Sequence, residues 1–377
     1  MLCYEYPPIG GGGAKVVDGL TRELINMGQK IDLVTMGFKD LPKFEQKGNL
    51  RLFRVKCIRL KSSICTWPEM VIYIFSALPV LLRLCRENDY YINHTHFIYP
   101  DGILAYLLKK IKKIAYIITA HGSDVPGYNP NRFKILHKLL VPVWRIITSN
   151  AEQLIIPSEN LNQLVKKVST NNRTTIIPNG IDLNKFSPHE QRENRILVVS
   201  RMFERKGLQY FIQALSGFDC DLKVNVVGEG PYLKTLKNLA AELKSKVHFL
   251  GYLDNDSKEL RELYETSKIF VFTSEAENFP IVLLEAMIAG LAIITTNDTG
   301  CAEVVGDGAI LVNPKDSLAL KEALLKLISN PDLCIQLGKI ARKRAEKLFS
   351  WETVAKKHIH LYSKLKSKEL FNQVSIV

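Results

Sequence analysis

The feature that most constrains the fold is a recurring order of short apolar run, glycine-containing turn and helix. Val224–Val227 is followed by the turn 228–231, and Val247–Leu250 is followed by Gly251. Strands that alternate with helices form a parallel sheet with helices packed on its faces. The pattern therefore predicts an α/β fold, and such sheets bind ligands at the carboxyl ends of their strands.

Length, cysteine usage and charge limit the class of protein. A chain of 377 residues is long enough for two domains. The seven cysteines form no C-x-x-C pair, which argues against a disulfide framework or a structural zinc site and indicates a reducing cytosol. A net charge of +13 suggests an anionic partner: nucleic acid, a membrane face or a phosphorylated substrate.

Much of the positive charge lies in the first half of the chain. A lysine-rich face is usually only solvated, but it can also rest on anionic lipid at about 1 kcal/mol per basic residue. Both interpretations stay open for Arg51, Arg54, Lys56, Arg59 and Lys61, and for Lys109, Lys110, Lys112 and Lys113.

The most apolar stretch runs from Met70 to Leu82 and contains Pro79. It is too short to span a bilayer, so we expect a buried helix, with a membrane-dipping helix as the alternative. Met1 begins almost directly on an apolar segment without a leader pattern. The expected location is cytoplasmic, with a peripheral position on the inner face of the membrane left open.

A run of four glycines, Gly10–Gly13, separates a short apolar segment from a helical pattern that ends near Gly28. Ile31–Met36 then has the composition of a strand. Glycines at such a crossover let backbone amides approach a phosphate. A merely flexible turn explains the run equally well.

Three histidines follow apolar runs. His121 comes directly after Ile114–Thr119, at the predicted carboxyl end of a strand, which makes it a site candidate. His94 and His96 lie at the end of the predicted strand Asp89–His94. No cysteine or carboxylate cluster supports a metal site there, so we interpret them as structural or acceptor-facing.

The segment Thr273–Gly290 combines two carboxylates with a helix start. Glu277 precedes Phe279-Pro280, and a helix is expected to begin at that proline and to end in a left-handed cap at Gly290. Glu285 then lies about one turn inside the helix. The unpaired amides at a helix start bind phosphate. Although Glu285 alone would only complement the helix dipole, carboxylates beside a phosphate site suggest a nucleotide sugar.

Other charged residues are ambiguous in isolation. Arg201 and Lys206 lie between the predicted strand Arg195–Ser200 and the next helix, where they can grip phosphate oxygens. The Asp254-Asn255-Asp256 triplet is a D-x-D pattern, but Asp256 precedes an amphipathic helix, and we predict that it caps this helix and binds no metal.

The frame E-x-F-P-x-x-x-x-E-A-M-x-x-G at 277–290 resembles the signature of the retaining glycosyltransferases of family 4, also called group 1. V-S-R-x-x-x-x-K-G at 199–207, T-x-H-G-x-D at 119–124, I-I-P-N-G-I-D at 176–182 and the opening Y-P-P with its glycines are similar to family motifs. The first strand is shorter than in family members, Asn278 stands where glycine is more usual, and Cys301 is atypical in the G-x-x-E-V-V motif.

The resemblance implies two Rossmann-like domains that face each other across a cleft, the GT-B architecture. Residues 1–185 would form the acceptor-binding domain, residues 186–350 the nucleotide-sugar-binding domain, and residues 351–377 a helix that packs back on the first domain. It also implies the site. Glu277 and His121 would contact the donor sugar, and Glu285 would hold the ribose hydroxyls. Four residues would contact the leaving diphosphate: Arg201, Lys206, Gly12 and Gly13. Asn278, Phe279 and Pro280 would complete the donor pocket.

The activity implied is transfer of a sugar from a nucleoside diphosphate sugar to an acceptor hydroxyl of a glycan, a lipid-linked molecule or a small molecule. The resemblance implies retention of anomeric configuration, with no metal or other cofactor. The alternatives are a nucleotide-sugar epimerase of the same architecture, a glycosidase with paired carboxylates, and a nucleic-acid-binding protein. The chain lacks a basic motif interleaved with aromatic residues, so we expect no nucleic-acid partner.

Overall fold

The computed structural model describes residues 1–62, 64–128, 134–187, 189, 192–218, 222–243 and 247–374. The chain divides into two compact units, Met1–Gly180 together with Trp351–Val377, and Ile181–Ser350. The division falls a few residues before the expected boundary after residue 185. Part of the polar segment 187–194 lies outside the described residues.

The helices, in chain order, are α1 (Gly12–Asn26), α2 (Trp67–Glu87), α3 (Asp101–Lys112), α4 (Lys134–Asn150), α5 (Glu159–Val168), α6 (Leu208–Ala214), α7 (Leu233–Ala240), α8 (Lys258–Thr266), α9 (Ile281–Ala289), α10 (Gly300–Val305), α11 (Ser317–Ile328), α12 (Pro331–Phe349) and α13 (Trp351–Val374). The strands are β1 (Ile31–Met36), β2 (Phe44–Lys47), β3 (Leu50–Val55), β4 (Asn93–His96), β5 (Tyr116–Thr119), β6 (Gln153–Ile156), β7 (Thr174–Ile176), β8 (Glu193–Val199), β9 (Lys223–Val227), β10 (Val247–Gly251), β11 (Ser267–Phe272), β12 (Ala292–Thr296) and β13 (Ala309–Val312).

The second unit is a parallel sheet in the order β10-β9-β8-β11-β12-β13. Apolar side chains of α9 pack on one face, including Leu283 and Ile288, and those of α6 pack on the other, including Phe211 and Ile212. The chain winds outward in both directions from β8 and β11. The helices that follow these two strands, α6 and α9, pack on opposite faces, and ligands bind at the carboxyl ends of strands at such a point.

The first unit contains the strand orders β1-β3-β2 and β4-β5-β6-β7, joined by Leu2, which bridges Val34 and Thr95. The Leu2 amide donates to the His94 carbonyl at 3.0 Å. The Cys3 amide still donates to the Val34 carbonyl at 3.1 Å. The pairing ends there, because the Tyr4 amide donates to the Asp101 carboxylate at 2.9 Å. The predicted strand Asp89–His94 is also corrected, since β4 begins at Asn93.

Helix α13 belongs to the first unit, although it follows the whole second unit in sequence. The indole of Trp351 lies between Gly19 and Gly180, where an added Cβ would come within 2.2 Å of the ring at either glycine. Further along the helix, the Tyr362 hydroxyl lies 2.7 Å from Nδ1 of His94. The two glycines and the histidine therefore fix α13 against the first unit.

The expectation of a buried helix over 70–82 was wrong for much of its surface. Helix α2 is longer and begins at a capping box formed by Thr66 and Glu69. Its buried positions form one stripe, Glu69, Tyr73, Ala77, Leu81 and Leu84. Among the described residues, α2 is the one helix that is long and apolar enough to cross a membrane, by length and composition alone. Only 28% of the apolar 18-residue stretch within α2 is buried.

Candidate functional site

The loops that follow β8 and β11 are held together at the crevice of the second unit. The Glu275 amide donates to the Arg205 carbonyl at 2.9 Å, which joins the two loops. Gly207 has a φ of 69°, and an added Cβ there would lie 2.1 Å from the carbonyl oxygen of Thr273. Only glycine allows this close approach, so the motif glycine positions the adjacent Lys206 against the second loop.

Lys206 and Glu277 form a direct ion pair across the two loops. Their side chains are only 9% and 10% exposed, respectively. The Ser274 hydroxyl donates to the same Glu277 oxygen, Oε1, at 2.8 Å, and the Lys206 ammonium lies 5.4 Å from the centre of the Phe272 ring. The structure therefore brings together two predicted site residues from separate motifs in a largely desolvated position.

Arg201 lies near the start of the loop that follows β8, and Lys206 lies near its end. Its side chain is exposed, and its guanidinium stacks over the Phe203 ring at 5.6 Å. It is thus a surface cation at the carboxyl end of β8, on the same connection as the buried Lys206.

The start of α9 differs slightly from the expectation. Pro280 is the cap residue and the helix begins at Ile281, one position later than predicted, while Gly290 closes it in the predicted left-handed conformation with φ 73°. Asn278 and Phe279 are buried. The Phe279 ring packs edge-on against the Phe349 ring at a centroid distance of 5.4 Å. Phe279 therefore anchors the loop to the end of α12.

Glu285 is buried inside the second unit and has three donors. Its Oε1 accepts from Lys185 Nζ at 2.5 Å and from Asn255 Nδ2 at 3.0 Å, and its Oε2 accepts from the Tyr264 hydroxyl at 3.1 Å. Burial, reinforced by the nearby carboxylate, raises the pKa of Tyr264 well above its usual value. Sequence reasoning missed all three donors, which lie in separate elements far from Glu285 in the chain.

The D-x-D triplet forms a turn. Asp254 Oδ1 accepts from the Asp256 amide at 2.9 Å. The predicted cap was wrong by one residue, because Ser257 caps α8 and its hydroxyl accepts from the Leu260 amide. In the described ranges, no cluster of three or more histidine, cysteine, aspartate or glutamate residues is arranged to hold a metal ion.

The second half of the glycine run in the first unit lies in the first turn of a helix. Helix α1 begins at Gly12, with Gly11 as its cap. A Cβ added to Gly13 would lie 2.5 Å from the Phe97 ring, whereas one added to Gly12 would meet no atom within 4 Å. Packing therefore explains Gly13, and it places no such demand on Gly12.

His121 lies directly after β5 in a loop organised by Asp124. The Asp124 carboxylate accepts from the amides of His121 at 3.0 Å, Gly122 at 2.9 Å and Ile98 at 2.9 Å. The imidazole lies 4.3 Å from the Phe97 ring, and burial lowers the pKa of His121 to about 4. The ring is neutral at pH 7, and the aspartate of the T-x-H-G-x-D motif serves as its anchor.

Behind His121 lies a buried row of aromatic side chains. His96 Nδ1 is 3.3 Å from His121 Nε2, the rings of His96 and His94 are 4.2 Å apart, and His358 of α13 stacks on His94 at 5.5 Å. Burial lowers the pKa of His94 and His96 well below 6.5 and that of His358 to about 4. These imidazoles are neutral interior groups between His121 and α13.

Family models match both units of the chain. The model described as glycosyl transferases group 1 matches residues 181–344, and the model described as glycosyltransferase family 4 matches residues 10–185. The chain belongs to the family 4, group 1 glycosyltransferases. Among curated relatives, this glycosyltransferase is 26% identical to N-acetyl-alpha-D-glucosaminyl L-malate synthase of Bacillus anthracis, over 95% of its own length and 94% of the relative.

Solved structures show the same fold. The glycosyltransferase superposes on sucrose-phosphate synthase from Thermosynechococcus elongatus with a TM-score of 0.82 and 22% identity, covering 95% of this chain and 94% of that one. The Anabaena protein HepE in complex with UDP and glucose matches with a TM-score of 0.75 and 16% identity, covering 96% and 98%. The predicted GT-B fold class and a nucleotide-sugar-dependent transferase are thus confirmed, whereas the epimerase and nucleic-acid-binding alternatives find no support.

Proposed function

We propose that this glycosyltransferase moves a hexosyl group from a nucleoside diphosphate sugar to an acceptor hydroxyl, with retention of anomeric configuration and without a metal ion. The observation that carries the proposal is the Lys206–Glu277 ion pair at the start of α9. It joins a cation for the diphosphate to a carboxylate for the sugar at the point in the sheet where ligands bind.

Cleavage of the donor leaves negative charge on the diphosphate and positive character on the anomeric carbon. Lys206, Arg201 and the backbone amides at the start of α9 stabilise the leaving phosphate, since fixed donors aimed at developing charge need little reorganisation. Because these cations supply the positive charge, the reaction needs no metal. Activity that persists in EDTA would support this part of the proposal, and loss of activity would contradict it.

Glu277 has a distinct task in this scheme. Lys206 and Ser274 both donate to its Oε1, so in the described structure Oε2 is available to accept from a sugar hydroxyl. Glu277 therefore orients the donor sugar. Glu285, whose two oxygens already accept from three side chains, supports the nucleoside side of the pocket from a buried position.

The first unit supplies the acceptor side in this proposal, with His121 contacting the sugar and Gly12 and Gly13 the donor diphosphate. A neutral imidazole suits hydroxyl groups, because it forms hydrogen bonds without adding charge. The acceptor is a glycan, a lipid-linked molecule or a small molecule, and the enzyme is cytoplasmic with a peripheral position at the membrane.

A thermal-shift panel of UDP-, GDP- and ADP-sugars tests the proposal. HepE binds UDP and glucose, so UDP-hexoses are the first donors to try. Product analysis by NMR with the best donor then gives the anomeric configuration. Inversion would overturn the retention proposal, and release of an isomerised sugar without acceptor would overturn the transfer proposal in favour of an epimerase.

A further inference from the structure

An exposed apolar surface lies on the first unit, at the start of α2 and in the segment before it. Five of the nineteen large apolar side chains that are exposed in the described chain fall between Ile58 and Phe75. We call this set the 58–75 surface: Ile58, Leu60, Ile64, Val71 and Phe75. Leu60 is 77% exposed and Phe75 is 73% exposed. Concentrated exposure of this kind marks an interaction site.

The backbone that carries these side chains is pinned in place. Arg59 points inward, where its guanidinium donates to Glu5 at 2.7 Å and to the Ser62 carbonyl at 2.9 Å. The Glu69 carboxylate accepts from the amides of Leu60 at 2.8 Å and Thr66 at 2.6 Å. The segment is therefore tied to the start of α2, and the apolar side chains on either side of Arg59 are held outward.

On α2 itself the exposed side is apolar as far as Pro79. Pro68, Val71, Phe75 and Pro79 are exposed there, and the first exposed charge after them is Arg83. The opposite side is fixed in the core, where the Tyr73 hydroxyl donates to Asp101 at 2.8 Å. A helix anchored along one side and apolar on the other is suited to lie in a membrane interface, whereas spanning the bilayer would require it to leave the core.

Within the segment that carries the 58–75 surface, the exposed charges are basic. Lys56 and Lys61 are exposed beside the apolar residues. The one acidic residue between Lys56 and Leu82 is Glu69, which is buried and accepts from backbone amides. Arg51, Arg54 and Arg59, by contrast, pair with Asp32, Glu45 and Glu5. Of that basic run, two lysines thus remain exposed next to the apolar side chains.

We infer that the 58–75 surface docks on an anionic lipid bilayer, with Leu60 and Phe75 entering the interface and Lys56 and Lys61 contacting the headgroups. Apolar insertion combined with lysine attraction to anionic lipid is the standard physical basis of reversible membrane binding. The Gly10 amide donates to the Ser62 carbonyl at 2.8 Å, so the docked segment adjoins the glycine run. A membrane-anchored acceptor follows if the proposed transferase activity holds; binding to the bilayer does not depend on it.

Vesicle co-sedimentation of the full chain, without donor or acceptor, tests the docking. The vesicles contain phosphatidylcholine alone or with about one third phosphatidylglycerol. The wild type is expected to bind the anionic vesicles preferentially and to dissociate as salt is raised. Leu60→Asp and Phe75→Asp should each lower the partition coefficient by about tenfold or more, and Lys61→Gln by a few-fold.

Leu318→Asp is the matched control, because Leu318 is 74% exposed on α11 of the second unit. It should bind vesicles as the wild type does. Three outcomes would each overturn the inference. They are equal losses of binding in all three aspartate variants, binding at the wild-type level by Leu60→Asp and Phe75→Asp, and no vesicle binding by the wild type. A wild-type dimer that these two variants dissociate, without vesicle binding, would assign the surface to a second copy of the chain instead.

A measurement on the wild type supports the variants. Trp67 begins α2, so brominated lipids in anionic vesicles should quench its fluorescence, and unchanged fluorescence would count against docking. Transfer to a water-soluble acceptor should stay at the wild-type level in Leu60→Asp and Phe75→Asp. Loss of docking and loss of transferase activity are thereby distinguished.

Discussion

The candidate site residues of the two units differ in how they carry charge. In the second unit, Lys206 and Glu277 face each other as an ion pair, and Lys185 neutralises the buried Glu285. In the first unit, His121 is backed by neutral imidazoles. Fixed cations suit a diphosphate that is charged throughout the reaction, and neutral donors and acceptors suit hydroxyls. In the proposed function, the second unit therefore stabilises charge and the first unit orients hydroxyl groups.

The strongest test of this contrast is removal of the buried cation. Lys206→Ala should lower kcat by about 10²–10³-fold, or about 3–4 kcal/mol, because the leaving phosphate loses a fixed positive charge. Steady-state kinetics with the best donor measures the effect, and circular dichroism checks the fold.

Lys315→Ala is the control for Lys206→Ala. Lys315 pairs with Glu275 at 3.2 Å, but its side chain is 59% exposed, so the loss of this pair should leave kcat unchanged. If Lys206→Ala retains kcat within about threefold of the wild type, the second unit does not stabilise the departing charge.

Buried His358 should contribute an acid sensitivity to the first unit. The folded-state pKa of His358 is lowered by burial from 6.5 to about 4, so the unfolded chain binds the proton more readily. The contribution of His358 to stability is therefore fully present above about pH 6.5 and is lost as the pH drops towards 4, by up to about 3 kcal/mol. Trp67, Trp144 and Trp351 all lie in the first unit, so urea unfolding followed by tryptophan fluorescence at pH 7 and at pH 5 reports on it alone.

His358→Phe should reduce this acid dependence, because phenylalanine keeps the ring stacking without a titrating group, while His94 and His96 still titrate. His360→Phe, at an exposed position of the same helix, should leave it as in the wild type. An equal loss of stability at low pH in the wild type and in His358→Phe would show that His358 does not contribute to the acid response.

Sequence patterns identified those parts of the site that depend on short spacing. Gly207 and Lys206 are adjacent in one motif, and the fold adds the contact of Lys206 with Glu277 because β8 and β11 are neighbours in the sheet. Parallel α/β order made this juxtaposition predictable once both motifs were placed at carboxyl ends of strands.

Other features could not be read from the chain. Lys185 and Asn255 reach Glu285 from 100 and 30 residues away, and no local pattern encodes such a contact. The apolar composition of α2 does not tell which side the fold covers, so the exposed positions of Val71 and Phe75 appear only in the structure. The sequence shows only the positive charge of Arg51 and Arg59. Their ion-pair partners, Asp32 and Glu5, lie in other parts of the chain and become known only from the structure.

A smaller effect is expected at the buried pair of the second unit. Lys185→Met should lower the free energy of unfolding by about 2 kcal/mol, less than is typical for a broken buried pair, because Asn255 and Tyr264 still donate to Glu285. Urea unfolding followed by far-UV circular dichroism measures the change, while the fluorescence transition of the first unit should not move.

The exposed Lys356–Glu352 pair of α13 provides the control for Lys185→Met. Lys356→Met should be nearly neutral, because an exposed pair contributes little. Equal effects of the two substitutions would contradict the view that burial makes the Lys185–Glu285 pair important.

The smallest effect concerns the proton on His121. His96 Nε2 is buried without a hydrogen-bond partner in the described structure, and a buried N–H without an acceptor is costlier than an unpaired lone pair. The His96 proton is therefore expected on Nδ1, from which it is donated to His121 Nε2, 3.3 Å away. His121 then carries its own proton on Nδ1.

Ring ¹⁵N chemical shifts of selectively labelled protein read this tautomer directly. His96→Phe removes the donor but keeps the ring, so we expect a mixed tautomer at His121 and a fall in kcat of about fivefold, or about 1 kcal/mol. The fall should be the same from pH 6 to pH 8, because the pKa of His121 is near 4. An unchanged tautomer with unchanged kcat would mean that His96 only fills the core, and the first unit would then orient substrates without help from its buried histidines.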